Sequence, residues 1–119
     1  MAGILIADDA LFMRKTIRMA FEKAGYSLVG EAVDGEDTIL KYKELNPDLI
    51  VLDITMPGMN GLDALKILKD INPKVKIIIC SAMGQPGIVV QAIEHGAENF
   101  IVKPFETEHL VAAVEKALR

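Results

Sequence analysis

The fold is decided at residues 49–57, which read LIVLDITMP. The run from Leu49 to Leu52 has the length of a strand, and it is apolar at every position instead of alternating. That pattern is typical of a parallel strand that is covered on both faces. Asp53 follows directly. The stretch therefore predicts a strand inside a sheet, with a carboxylate at its carboxyl end.

Working outward, strand-length runs alternate with segments of helical spacing. The runs are Ile4 to Ala7, Ser27 to Ala32, Leu49 to Leu52, Ile77 to Ser81 and Asn99 to Val102. Helices are predicted from about Met13 to Ala24, with Ala24 on the inner apolar face, over Asp34 to Leu45, and from Asn60, as the N-cap, to about Ile71. Two more are predicted over Pro86 to His95 and over Thr107 to Leu118. Five β-α repeats predict an α/β fold, a three-layer, doubly wound, five-stranded parallel sheet with helices on both faces.

The composition bounds the classes of function. The chain has 119 residues, and no linker, repeat or low-complexity stretch divides it, so residues 1–119 are expected to form a single domain. Its net charge of -4 and its lack of basic runs argue against nucleic-acid binding. One cysteine, Cys80, excludes an internal disulfide and fits a reducing compartment. Without a signal peptide or a membrane-spanning stretch, we expect a cytoplasmic protein that does not bind membranes.

Polar side chains with reactive chemistry follow four of the predicted strands. Asp8 and Asp9 come after the first strand and Asp53 after the third, Ser81 ends the fourth, and Lys103 follows the fifth. Sites in open α/β sheets form beyond the carboxyl ends of the strands. We therefore expect these five residues to converge at one edge of the sheet.

Three crowded carboxylates repel one another unless a cation neutralises them. Mg²⁺ prefers oxygen ligands and keeps several waters, so a few carboxylates and phosphate oxygens complete its shell. We predict Asp9 and Asp53 as direct ligands of Mg²⁺, with Mn²⁺ as an alternative metal. Asp8 is expected to act through a bound water or as a weaker ligand, and the backbone carbonyl of Thr55 to supply another oxygen.

Asp53 has a second predicted role as a nucleophile. A carboxylate can attack a phosphoryl group and form an acyl phosphate. Because the barrier is mostly charge on the transferring group, the reaction needs positioned positive partners and hydrogen-bond donors. Lys103 can reach the phosphoryl oxygens with its ammonium, and Ser81 can donate a hydrogen bond to one of them. Asp53 is therefore the predicted phosphoacceptor, assisted by Lys103 and Ser81.

This set of residues resembles the receiver domains of two-component response regulators. The resemblance is carried by Asp8-Asp9, Asp53, Ser81 and Lys103-Pro104, and it covers Ile4 to Leu118. It is strongest toward the stand-alone chemotaxis receivers, so no output domain is expected. The resemblance implies the flavodoxin-like strand order 2-1-3-4-5, of which those chemotaxis proteins are themselves an example. It also implies a cis peptide bond between Lys103 and Pro104.

The resemblance further implies a signalling protein that assists its own phosphorylation and is not an enzyme. A histidine kinase would donate the phosphoryl group to Asp53, and acetyl phosphate could substitute for the kinase. Ser81 would then move toward the phosphate and Phe100 would turn inward, reshaping the surface of the fourth helix, fifth strand and fifth helix. A downstream protein such as a flagellar motor switch protein would bind that surface, with the receiver acting as a monomer. Phe100 occupies a position where a tyrosine is often found, so a contact through a tyrosine hydroxyl cannot carry over.

Three alternative functions compete with this interpretation. A pseudo-receiver, kept for binding and never phosphorylated, should lack part of the acidic set or the lysine. An aspartyl phosphatase typically carries a second Asp two residues after the nucleophile, where this chain has Thr55. A flavodoxin-type carrier needs a neutral phosphate loop after the first strand, where Asp8 and Asp9 would repel the phosphate. Alone, Asp9 would suit a helix N-cap, but the five residues together favour a receiver.

Overall fold

The strands of the sheet are β1 (Gly3–Ala7), β2 (Ser27–Ala32), β3 (Leu49–Leu52), β4 (Lys76–Ser81) and β5 (Asn99–Val102). They are all parallel and pair in the order β2-β1-β3-β4-β5. The computed structural model describes residues 3–119. Both the α/β class and the predicted strand order are confirmed.

The helices are α1 (Leu11–Lys23), α2 (Gly35–Leu45), α3 (Gly61–Ile71), α4 (Pro86–Glu94) and α5 (Thr107–Ala117). Their ends agree with the prediction to within about two residues. The caps explain most of the differences. The side chain of Asp34 accepts a hydrogen bond from Asp37, so Asp34 precedes α2 as its N-cap, and Asn60 caps α3 through Asp63 as predicted. Gly25 follows α1 with φ +88°, a conformation that glycine adopts without strain.

Two apolar cores lie on opposite faces of the sheet. On one face α1 and α5 pack against the strands through buried residues such as Ile17, Phe21, Leu110 and Val114. On the other face α2, α3 and α4 bury Tyr42, Leu65, Leu68 and Ala92. These two layers cover β3 and β4 almost completely, as their unbroken apolar runs predicted. Ala24, expected on the inner face of the first helix, is exposed because it follows the last helical turn.

The strand register aligns the carboxyl ends of four strands. Ala7 of β1 lies beside Leu52 of β3, Leu52 beside Ile79 of β4, and Ser81 beside Val102 of β5. The residues that follow these ends therefore emerge at the same edge of the sheet. Among residues 3–119, the helices are all too short or too polar to cross a membrane.

Candidate functional site

Three carboxylates meet at the carboxyl edge of the sheet. Asp8, Asp9 and Asp53 each offer an oxygen, and the three oxygens lie within 4.8 Å of one another. Asp8 and Asp53 are buried, with 2% and 3% of their surface exposed, whereas Asp9 is exposed. In the sequence the three residues span two strand ends, and the parallel pairing of β1 with β3 brings them together.

Asp8 is held by hydrogen bonds on every side. Its Oδ1 accepts from the Ala10 N–H at 2.9 Å, and its Oδ2 accepts from Lys103 Nζ at 2.6 Å. Its backbone N–H donates to the Ala32 carbonyl at 3.0 Å, and its own carbonyl accepts from Arg14 Nη1 at 2.7 Å. Asp8 is thus fixed in orientation by four different parts of the chain.

Asp53 is anchored through its backbone and through Thr55. Its N–H donates to the Ala7 carbonyl at 2.9 Å, which continues the pairing of β1 with β3. Its Oδ1 accepts from both the N–H and the hydroxyl of Thr55, each at 3.2 Å. A Cβ atom at Gly61 would lie 2.2 Å from the Asp53 carbonyl oxygen, so only glycine allows α3 to begin this close to the Asp53 backbone. The role of the Thr55 carbonyl as a metal ligand stays a prediction.

Lys103 links the two buried carboxylates. Its Nζ lies 2.6 Å from Asp8 Oδ2 and 3.4 Å from Asp53 Oδ2. Burial by itself would lower the pKa of Lys103, but the hydrogen bond to Asp8 and the charges of Asp53 and Asp8 outweigh it. The pKa therefore lies above the ordinary value of 10.5, and the side chain is a cation at neutral pH. The Lys103–Pro104 peptide bond is cis, as predicted.

Ser81 is fully buried at the end of β4. Its carbonyl accepts from the Lys103 N–H at 2.9 Å, which ties the serine to the residue that carries the ammonium. Its hydroxyl oxygen accepts from the Met83 N–H at 3.2 Å. The hydroxyl proton is left to donate to an acceptor at the site.

Phe100 lies on β5. It is half-buried and packs against the core under α2, α3 and α4. Val90 and Ile93 of α4 and Val102 of β5 are exposed apolar residues in the same part of the molecule. The predicted switch residue is therefore partly inward in this state.

The donor set fits a hard divalent cation. Three carboxylates face one ammonium, so the cluster keeps an excess of negative charge that a cation would neutralise. Within residues 3–119 the Asp9 carboxylate has no hydrogen bond or ion pair with the protein, which leaves both of its oxygens available. Oxygen ligands of this kind suit Mg²⁺ and not a soft metal.

The alternative role of Asp9 as a helix cap is wrong. The N-cap of α1 is Ala10, with no side-chain cap bond. It is Asp8 that accepts the Ala10 N–H. The chain turns between Asp8 and α1 in a way that leaves the Asp9 carboxylate exposed.

Comparison with known proteins agrees with this geometry. The family model described as the response regulator receiver domain matches residues 4–115. The chain belongs to the response regulator receiver domains. It is 52% identical to the chemotaxis protein CheY of Thermotoga maritima over 113 residues, which cover 95% of this chain and 94% of that protein. It is 50% identical to CheY of Bacillus subtilis, with 97% and 96% covered.

A solved receiver structure shows the same fold in a complex. A chain of the CheX–CheY–BeF₃–Mg²⁺ complex from Borrelia burgdorferi superposes with a TM-score of 0.95 at 32% identity, covering 99% of this chain and 90% of that one. The predicted resemblance to chemotaxis receivers is therefore confirmed. The chain is a signalling receiver of two-component systems.

Sequence reasoning missed three residues of this receiver site. The sequence patterns single out none of Gly61, Arg14 and Glu31 as a site residue. Gly61 follows the capping Asn60, a placement that could have signalled a close approach. Arg14 and Glu31 are 17 positions apart, and the packing of α1 beside β2 places them together.

Proposed function

We propose that this receiver is a phosphorylation-activated switch, in which Asp53 accepts a phosphoryl group from a histidine kinase and thereby changes the affinity for a downstream protein. One observation carries the proposal: three carboxylates lie within 4.8 Å, and Lys103 bridges the two buried ones. The relatives named as chemotaxis proteins support a role in chemotaxis, with a motor switch protein or a CheX-type protein as the target.

In the proposed reaction an Asp53 carboxylate oxygen attacks the phosphorus of a phosphohistidine. The new O–P bond forms as the P–N bond breaks, and the imidazole nitrogen keeps the electron pair and later takes a proton from water. With acetyl phosphate, the P–O bond breaks and acetate leaves. Asp8, Asp9, Asp53 and the Thr55 carbonyl would hold Mg²⁺, which neutralises charge on the phosphoryl oxygens.

Lys103 would supply the protein's own positive charge. It already contacts Asp53 Oδ2 at 3.4 Å, so its ammonium stands beside the carboxylate to be phosphorylated. A new phosphoryl group would add further negative charge within reach of this flexible side chain. Lys103 would then exchange part of its contact with Asp8 for the phosphoryl oxygens.

The hydroxyl of Ser81 would report the new charge to the rest of the domain. It would donate a hydrogen bond to a phosphoryl oxygen, and its present bond from the Met83 N–H would weaken. Movement of the segment after β4 would let Phe100 pack further inward. The surface formed by α4, β5 and α5 would change shape, which shifts the population that binds a partner.

The proposal is tested by measuring intact mass after incubation with acetyl phosphate. Wild type with Mg²⁺ should gain one phosphoryl group, and wild type with a chelator should gain none. Asp53→Asn should gain none, because an amide is a poor nucleophile. Asp48→Asn is a matched control, since Asp48 lies at the opposite edge of the sheet, where it accepts the Gly3 N–H.

A wild-type protein that takes up no phosphoryl group and does not bind beryllium fluoride would contradict the proposal. The domain would then be a pseudo-receiver that acts by binding alone. Uptake by Asp53→Asn at the same level would also reject Asp53 as the acceptor.

A further inference from the structure

A salt bridge behind the acidic cluster connects α1 to β2. Arg14 Nε donates to Glu31 Oε1 at 2.9 Å, and the Arg14 side chain is only 12% exposed. Glu31 Oε2 in turn accepts from Arg18 Nε at 2.9 Å. Burial would raise the pKa of Glu31, but its bonds to Arg18 and Arg14 outweigh it, so the pKa is lowered and the carboxylate is ionised at neutral pH.

A second nitrogen of the Arg14 guanidinium contacts the site. Nη1 donates to the Asp8 carbonyl at 2.7 Å. That carbonyl belongs to the peptide unit joining Asp8 to Asp9, so its orientation sets the direction in which the Asp9 side chain leaves the backbone. Because the Asp9 carboxylate has no partner of its own within residues 3–119, this peptide unit is where the protein controls its position.

We propose that Arg14, held by Glu31, is a positioning residue that sets the Asp8–Asp9 peptide for divalent-cation binding. The inference deepens the proposed function and rests on it. Arg14 touches neither the metal nor the phosphoryl group in this proposal, and acts only through the Asp8 carbonyl. Outer partners that orient metal ligands typically change metal affinity by about 10–100-fold when they are removed.

A pure charge effect and a positioning effect predict opposite changes in Mg²⁺ affinity when Arg14 is replaced. If Arg14 acted only as a nearby cation, its removal would make the cluster more negative and Mg²⁺ would bind more tightly. If it positions the peptide, its removal weakens binding, and so does Arg14→Lys. Lysine keeps the charge but lacks the planar fork that bonds Glu31 and the carbonyl together.

The test is a Mg²⁺ titration followed by backbone amide chemical shifts, on wild type, Arg14→Lys, Arg14→Gln and Arg18→Gln. We expect both Arg14 variants to bind Mg²⁺ roughly tenfold more weakly than wild type. Arg18→Gln is the matched control, because Arg18 bonds the same carboxylate without contacting Asp8, and it should change the affinity less than about twofold. Labelling by acetyl phosphate should also separate the two Arg14 variants from wild type and Arg18→Gln. The half-saturating Mg²⁺ concentration rises in the Arg14 variants, and the rate at saturating Mg²⁺ stays near wild type.

The outcomes distinguish positioning by Arg14 from a simple effect of its charge. Tighter binding in Arg14→Gln with wild-type affinity in Arg14→Lys would overturn positioning in favour of a charge effect, and unchanged affinity in both would overturn it outright. If the Arg14 variants do not fold, Glu31→Gln decides, and it should weaken Mg²⁺ binding severalfold. Unchanged affinity in Glu31→Gln would then reject the proposal. A wild type that binds no Mg²⁺ at all would reject the proposed function instead.

Discussion

The site at the carboxyl edge of the sheet has two halves, which differ in how many hydrogen bonds hold their side chains. The acidic half, which comprises Asp8, Asp9, Asp53 and Lys103, contains two buried carboxylates with several hydrogen bonds each. The switch half, which comprises Ser81, residues 82–85, α4 and β5, has few such bonds. Within residues 3–119 the Ser81 side chain makes one hydrogen bond, and Phe100 is only half-buried.

The helix after Asp53 and the helix after Ser81 differ in the same way. α3 has a side-chain cap from Asn60 and buries Ala64, Leu65 and Leu68. α4 has no side-chain cap bond at Gln85 and buries only Ala92. Elements with few buried apolar contacts move or open at low free-energy cost. The difference indicates that the acidic half is held more rigidly than the neighbouring half.

The largest effect is expected from Gly61→Ala, which would disturb the acidic half. The added methyl would lie 2.2 Å from the Asp53 carbonyl oxygen and 2.7 Å from the Ile54 Cα, both backbone atoms that cannot move aside separately. Overpacking of this kind costs about 3 kcal/mol of the free energy of unfolding, measured by urea denaturation. Phosphoryl uptake should fall with it. A variant with wild-type stability and uptake would show that α3 is not held as closely as described.

The second-largest effect on stability is expected from Lys103→Ala. Without Mg²⁺ the variant should lose about 2 kcal/mol of stability, because the buried Asp8 carboxylate loses its charged hydrogen-bond partner. Added Mg²⁺ should stabilise the variant more than it stabilises wild type. Phosphorylation should also be uncoupled from partner affinity. Normal switching in the variant would contradict the role proposed for the ammonium.

The stability that Lys103 supplies should depend on pH in a defined direction. Its folded pKa lies above the ordinary value of 10.5. The contribution is therefore fully present below pH 10.5 and is lost as the pH rises through the folded pKa. The stability difference between wild type and Lys103→Ala should be constant from neutral pH up to the ordinary pKa of 10.5 and should shrink only above it. A difference that shrinks near neutral pH would contradict the assigned shift.

Ser81→Ala tests the switch half and should have a smaller effect on stability. Removing the hydroxyl leaves the partly buried Met83 N–H without its acceptor, which costs about 1 kcal/mol. The labelling rate of Asp53 should change less than the phosphorylation-dependent affinity for a partner. Equal losses in both measurements would place Ser81 in the chemistry and not in the coupling.

The smallest effect is expected from Gly87→Ala, the matched counterpart of Gly61→Ala. A Cβ at Gly87 meets nothing within 4 Å, and the residue lies in the first turn of α4. Alanine should therefore raise the free energy of unfolding by about 0.5 kcal/mol through helix propensity. A loss of stability comparable to that of Gly61→Ala would remove the contrast between the two halves.

Much of the fold and the core of the site followed from the sequence. Unbroken apolar runs such as Leu49 to Leu52 identify strands covered on both faces, because only burial on both sides tolerates that pattern. The alternation of strands and helices implies a parallel sheet, and parallel strands end at one edge. These patterns are enough to predict that Asp8, Asp53 and Lys103 lie at the same edge of the sheet.

Only the tertiary structure decided how these residues are held. The partner of Lys103 is Asp8 at 2.6 Å, with Asp53 farther away at 3.4 Å, a preference that depends on side-chain reach across two strands. The bonds from Arg14 to Glu31 and to the Asp8 carbonyl join segments that neither spacing nor residue type connects. Sequence patterns report periodic burial along one element, whereas these contacts arise between elements. For that reason the residues of the site were determined by the sequence, and their positioning was determined by the packing around them.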